Sequence, residues 1–262
     1  MGALHDGHLA LIAASLSEND YTICSIFVNP TQFDNPEDLV QYPRLLEQDC
    51  AKLEAQGCDI VFAPAADEIY APEEVKHAVD YGPLTHSLEG EFRPGHFDGV
   101  VQIVRKLLQA VGPTRAYFGK KDFQQLAVIR HMVATEAMPV DIRSVATHRH
   151  SSGLARSSRN LRLSEEGREI AATISKVMQE MVDTADQFSP DELCAKGTAK
   201  LLEVGIEPEY LRIADEITFA PVRMWEDSEQ LRIFFAGWLE GIRLIDNKGM
   251  SEVEASRDSM ER

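Results

Sequence analysis

The chain has 262 residues, 44% hydrophobic and 26% charged, values of an ordinary globular protein that exclude wholesale disorder. Against 26 Lys and Arg stand 43 Asp and Glu, a net charge of −17 that opposes nucleic acid, whose phosphates need basic side chains. No apolar run reaches the roughly 20 residues of a membrane span, and MGALHDGH lacks the basic and apolar regions of a signal peptide. An anionic ligand is therefore expected to be small and held in a locally basic pocket. Cys24, Cys50, Cys58 and Cys194 lack CxxC spacing and read as buried or incidental thiols in a reducing cytoplasm.

In chain order, Leu9, Ile12 and Leu16 form a first helical stripe. TICSIFVNP (22–30) is a continuous apolar run, predicted as a parallel strand buried on both faces. A helix is expected from Leu45 to Gln56, stopped by Gly57 just before a second strand, DIVFAP (59–64). Val100, Ile103, Val104, Leu107, Leu108 and Val111 make another helical stripe. RAYFG (115–119) and VDIRSVA (140–146) read as strands around a helix carrying Leu126, Ile129 and Val133. This alternation predicts an α/β fold with a parallel sheet, helices on both faces, and ligands at the carboxyl ends of its strands.

After residue 146 the texture changes. A Ser-rich stretch (148–160) leads into a helix from Ser164 to about Asp183, and a second helix runs from Pro190 to Val204. EYLRIAD, LRIFFAGWL and IRLIDN then suggest a small antiparallel sheet, followed by a polar tail. The expected division is 1–147, a smaller α+β domain at 148–248, and a tail at 249–262.

Several clusters carry chemistry. His5-Asp6-Gly7-His8 precedes the first helix, where free backbone N–H groups and two imidazoles suit phosphate oxygens. Asn29-Pro30-Thr31-Gln32-Phe33 ends the first strand, with two amides able to orient hydroxyls or a carboxylate, though a plain Pro turn explains it equally. Gly119-Lys120-Lys121-Asp122-Phe123-Gln124-Gln125 offers a lysine to phosphates, with Asp122 as a helix cap or an aid to Mg²⁺, and Gln125 on the face of Lys121. Arg156-Ser157-Ser158-Arg159-Asn160 pairs hydroxyls with guanidinium groups between the halves, as a closing phosphate loop or a basic linker. Glu89-Gly90 and Arg93-Pro94-Gly95-His96-Phe97 form a looser fifth cluster.

Taken together, HxGH, NPTQF, RPGHF, GKKDFQQL and SSRN resemble, in order and spacing, the pantoate–β-alanine ligases (pantothenate synthetases). The resemblance extends from Met1 to Asn247. That family belongs to the HxGH nucleotidyltransferases, whose fold is Rossmann-like, with the SSRN loop standing where class I aminoacyl-tRNA synthetases have KMSKS. It implies ATP-dependent condensation of pantoate with β-alanine through pantoyl-adenylate, giving pantothenate, AMP and pyrophosphate. Carried over residue by residue, Met1, Gly2, Ala3, Leu4, His5, Asp6, Gly7 and His8 would line the ATP site. His5, His8 and Lys121 would be catalytic, with His8 as proton donor. Gly119, Lys120, Lys121 and Asp122 would also bind ATP, as would His148 through its backbone and Arg156, Ser157, Ser158 and Arg159 as a mobile phosphate loop. Gln32, Gln125 and Asn29 would hold pantoate and β-alanine. Mg²⁺ would arrive through the ATP phosphates, with Asp122 beside it, and the enzyme would be a cytoplasmic homodimer with no nucleic-acid or membrane partner.

Two departures stand out. Arg156 replaces the Met or Leu of relatives, and the sequence begins at the Met of the HxGH motif, where relatives have a preceding helix and strand. The expectation that follows is an N-terminally shortened chain that folds poorly or is weakly active. Three alternatives remain open: another HxGH nucleotidyltransferase, a binding-only homologue, and an RNA-binding synthetase relative, the last opposed by the charge.

Overall fold

A computed structural model describes residues 1–32, 36–71, 74–75 and 77–251; Phe33 and most of the polar tail lie outside the described residues. The first half runs α1 (Asp6–Glu18), β1 (Ile23–Ser25), α2 (Pro36–Gln41), α3 (Leu46–Gln56) and β2 (Ile60–Phe62). One-turn helices α4 (Ala66–Ile69), α5 (Pro83–His86) and α6 (Glu89–Phe92) lead to α7 (His96–Val111). Then come β3 (Arg115–Gly119), α8 (Phe123–Thr135) and β4 (Asp141–Val145). The fold is mixed α/β, as expected, and most boundaries follow local signals. Gly57 ends α3 in the left-handed region at φ 84°, a conformation that costs glycine nothing.

The parallel sheet is narrower than expected. β1 pairs with β2 and β3 with β4, both parallel, and no described strand joins the two pairs. The first strand is therefore not buried on both faces: Cys24 is buried while Ile23 and its partner Ile60 are exposed. Alongside β1 lies the start of the chain, where the Met1 nitrogen donates to Ser25 O at 2.9 Å and Met1 O accepts from Phe27 N at 2.9 Å.

The second half contains α9 (Glu165–Asp183), α10 (Pro190–Glu203) and strands β5 (Glu207–Asp215), β6 (Leu231–Leu239) and β7 (Ile242–Gly249) in one antiparallel sheet. Ser164 starts α9 by accepting from Gly167 N at 2.8 Å, and Ser189 caps α10 in a full capping box. Glu240 and Gly241, both at positive φ, make the two-residue turn between β6 and β7.

Among the described residues, four apolar clusters hold these layers. Val100, Val101 and Leu108 of α7 pack with Val128, Ile129 and Met132 of α8 against β3 and β4. Ile12, Cys24 and Leu53 join α1, β1 and α3. Ala171, Val177, Met178 and Leu201 close α9 and α10 onto the antiparallel sheet. The remaining cluster joins the halves, with Leu88 and the partly buried Phe123 meeting Tyr210, Phe219 and Phe234. Between the halves, at the ends of β1 and β3, lies a cavity.

Candidate active site

The cavity, about 460 Å³, is of small-ligand size and is lined from both halves of the chain. On its walls stand His5, Gly7, His8, Gln32, Gly119, Lys121, Asp122, Gln125, His148, Arg156, Ser157, Ser158 and Arg159, all singled out from sequence. Met1, Gly2, Ala3, Leu4, Asp6, Lys120 and Asn29, also expected at the site, do not line it.

The HxGH segment is built from backbone upward. Ala3 sits in the left-handed region at φ 48°, and its N–H and that of Leu4 donate to the two carboxylate oxygens of buried Asp49, at 2.8 and 2.7 Å. Lys52 Nζ meets Leu4 O at 2.6 Å, so α3 holds both sides of this turn. The helix starts earlier than expected, at Asp6. His5 O accepts from His8 N at 2.7 Å and Leu9 N at 3.0 Å, which puts His8 inside the first turn of α1. The two imidazoles stack with centroids 4.0 Å apart. A Cβ on Gly7 would stand 3.0 Å from the His5 ring, so only glycine leaves that ring in place. Burial, then Lys121 and Arg156, lowers the His5 pKa to about 4; burial, then His5, lowers that of His8 to about 2. Both rings are neutral at pH 7 and can each offer one N–H.

Gln32 is positioned from several sides. Its carbonyl accepts from Arg93 Nη2 at 3.2 Å and faces His96 Nδ1 at 3.1 Å, while its side-chain Oε1 faces Asn29 Nδ2 at 3.3 Å. Asn29 is buried and also donates to Gly99 O, so it holds Gln32 rather than reaching the cavity itself. A Cβ on Gly99 would meet Thr31 O at 2.4 Å, and this contact lets α7 press the 30–32 turn into place. Of the two glutamines in GKKDFQQL, Gln124 points inward, bonding Leu84 O, Ser87 O and Glu89 N, and Gln125 faces the cavity.

Lys121 and Asp122 face the cavity 3.6 Å apart. Asp122 stands at the start of α8 yet makes no side-chain cap, contrary to the capping role expected of it; its carboxylate turns to Lys121 instead. The Ser-rich stretch is ordered by its own hydrogen bonds. His148 O accepts from Arg156 N, Ser157 Oγ from Arg159 N, and Asn160 Nδ2 donates to Ala155 O. Ser158 Oγ bonds Ala3 O at 3.1 Å and Gly2 O at 3.3 Å, which ties this loop to the HxGH turn. Arg156 pairs with Asp6 at 2.6 Å across the helix start.

Several residues on the wall, or bonded to it from behind, gain a role only in the structure. Glu89 accepts from both terminal nitrogens of Arg243, from Arg93 and from Tyr210. Burial alone would raise its pKa, but Arg243 and Arg93 hold it at about 2. Asp246 accepts from Arg149 through both oxygens, at 2.6 and 2.9 Å. RPGHF was visible as a motif; Asp49, Glu209 and Arg243 had no local signal, because their partners lie 34 to 154 residues away.

The family described as pantoate–β-alanine ligase matches residues 1–249. The pantothenate synthetase of Christiangramia forsetii is 45% identical, covering 94% of this chain and 88% of its own.

The chain belongs to the pantoate–β-alanine ligase family.

A Bacteroides fragilis pantothenate synthetase is likewise 45% identical, over 94% of this chain and 88% of its own. The crystal structure of the Thermus thermophilus synthetase superposes with a TM-score of 0.90 at 42% identity, covering 95% of this chain and 91% of that one. The Francisella tularensis ligase, complexed with beta-gamma ATP and beta-alanine, gives a TM-score of 0.82 at 35% identity, over 97% of this chain and 88% of that one. This protein is thus a ligase that joins pantoate and β-alanine, and its cavity, at the junction of the halves, is the candidate active site.

Proposed function

We propose that the reaction runs through pantoyl-adenylate in this cavity, with the nucleotide at the His5, His8 and Lys121 end and pantoate against Gln32 and Gln125. The observation that carries this reading is the union, in one cavity, of phosphate-type donors with two glutamine amides. A pantoate carboxylate oxygen attacks the α-phosphorus of ATP, the bond to the bridging oxygen breaks, and pyrophosphate leaves. The amine of β-alanine then attacks the acyl carbon, loses a proton, and AMP leaves with the pair of electrons from the acyl–oxygen bond.

Neither step needs a protein nucleophile. What the chain supplies is orientation and charge at the leaving group. Lys121 carries that charge, the neutral rings of His5 and His8 donate N–H bonds to phosphate oxygens, and Arg156 and Arg159 cover them. Met1 to Leu4 and Asp6 shape the nucleotide end from behind, and His148 meets the adenine through its backbone. Among the described residues no group of three His, Cys, Asp or Glu side chains could hold a metal. Mg²⁺ would be carried by the ATP phosphates, and the cavity-lining carboxylate of Asp122 is a hard oxygen donor that could help to hold it. Residues 1–147 and 148–248 act as separate domains in this reading, the second closing over the first, in a cytoplasmic homodimer. Four unpaired cysteines accord with a reducing compartment.

Isotope exchange between pyrophosphate and ATP tests the reading. Exchange that requires pantoate and Mg²⁺, and not β-alanine, is the expected result; exchange driven by β-alanine alone refutes it.

A further inference from the structure

The turn that carries Lys121 is held from the other half of the molecule. Asn247, on β7, is 4% exposed, and its Nδ2 donates to Lys120 O at 3.0 Å and to Lys121 O at 2.7 Å. Its Oδ1 accepts from Arg232 Nη1 at 2.7 Å. That contact settles the orientation of the amide: a guanidinium can only donate, so the oxygen must face Arg232 and the nitrogen must face the two carbonyls. Arg232 is itself fixed, 3% exposed, with its guanidinium 4.0 Å from the Phe123 ring centroid and paired with Glu216 at 2.9 Å. The preceding residue, Asp246, receives Asn247 N at 2.8 Å and grips Arg149 through both oxygens. Two adjacent β7 residues therefore fasten the lysine turn and the 148–156 loop, two segments that both line the cavity.

We propose that Asn247 is a positioning residue for the ligase reaction, setting the Lys120–Lys121 backbone so that Lys121 Nζ meets the phosphates in register. The proposal rests on Lys121 acting on the phosphates. Neither side chain of the pair that binds Asn247 is needed for its contacts, which go to main-chain carbonyls. This makes the tether independent of the lysine it serves. Loss of the tether frees a turn whose displacement by ~1 Å costs about a hundredfold in rate. Gln32, held by Asn29, Arg93 and His96, is anchored elsewhere and stays in place.

Asn247→Asp keeps size and shape but turns an oxygen toward two carbonyls, and Asn247→Ala removes the amide altogether. Both are expected to lower the kcat of pantoate-dependent pyrophosphate–ATP exchange at least about tenfold, with the KM for pantoate within about twofold. In a Lys121→Ala background, adding Asn247→Asp is expected to change kcat by less than about twofold, because both changes act through one group. Near-native kcat in Asn247→Asp, or losses that multiply in the double variant, overturns the proposal. If Lys121→Ala alone keeps native kcat, the assignment of Lys121 fails first and takes the proposal with it.

Discussion

Asp49 is the buried anchor of the HxGH turn, and replacing it tests whether that turn is held or merely adjacent. The carboxylate is fully buried and accepts two N–H bonds, from Ala3 and Leu4. Asp49→Ala strands both donors at about 1–3 kcal/mol each, so about 2–6 kcal/mol in total. That approaches the whole stability of a domain near the low end of the usual range, about 5 kcal/mol. Asp49→Asn is the more informative change, because it keeps the volume and one acceptor while turning an NH₂ toward the other N–H. It is expected to cost about 1–3 kcal/mol. Ala3 at φ 48° has no intrinsic reason to stay in that conformation once the bond is gone, and His5 and His8 follow it directly in the chain. Urea midpoints report the stability and pyrophosphate–ATP exchange reports the site, with an expected loss of exchange of about tenfold or more in Asp49→Asn. A native midpoint together with full exchange in that variant would refute the reasoning.

Lys121→Ala is expected to lower kcat by about a hundredfold or more, the usual effect of removing one preorganised charge-stabilising donor, while thermal unfolding hardly moves. Lys120→Ala is the control, and the reverse outcome would mean the wrong lysine carries the charge. Arg156→Met breaks the 2.6 Å pair with Asp6 and removes a cavity guanidinium, so the KM for ATP should rise at low salt and less at high salt; no change at either removes its role. The pKa values of His5, His8 and His96 all lie below their unfolded value near 6.5, at about 4, 2 and 3, chiefly through burial. The unfolded chain therefore binds more protons below pH 6.5. The contribution of these rings is fully present above that pH and is lost as pH falls, so urea midpoints should drop from pH 7 to pH 5, and His96→Asn should flatten the slope.

Much of the architecture was legible because its signals are local. A 3.6-residue stripe put Leu126, Ile129 and Val133 on one face of α8, and all three are buried. RAYFG and LRIFFAGWL coincide with β3 and β6 as read. The segment 22–30, expected to be a doubly buried strand, differs for an equally plain cause. An apolar run states that a segment prefers burial, but which faces are covered depends on what packs over them, and among the described residues Ile23 of β1 and its partner Ile60 of β2 stay exposed. The expected cap by Asp122 failed for a similar reason, since a lysine beside it competes for the carboxylate.

The motifs themselves were determined by sequence alone. HxGH, NPTQF, GKKDFQQL and SSRN are short, contiguous sets whose chemistry lies in residue type and spacing, and the cavity brings members of each together. Tertiary structure decided which member of each motif reaches that cavity. It turned Gln125 inward to the site and Gln124 to the core, set Asn29 behind Gln32, and spent the Ser158 hydroxyl on the HxGH turn. It also supplied Asp49, Glu89, Arg243 and Asn247, whose roles exist only as pairings between distant segments. The physical reason is that a side chain's identity is written in one position, whereas its hydrogen-bond partner is chosen by the packing of the whole chain.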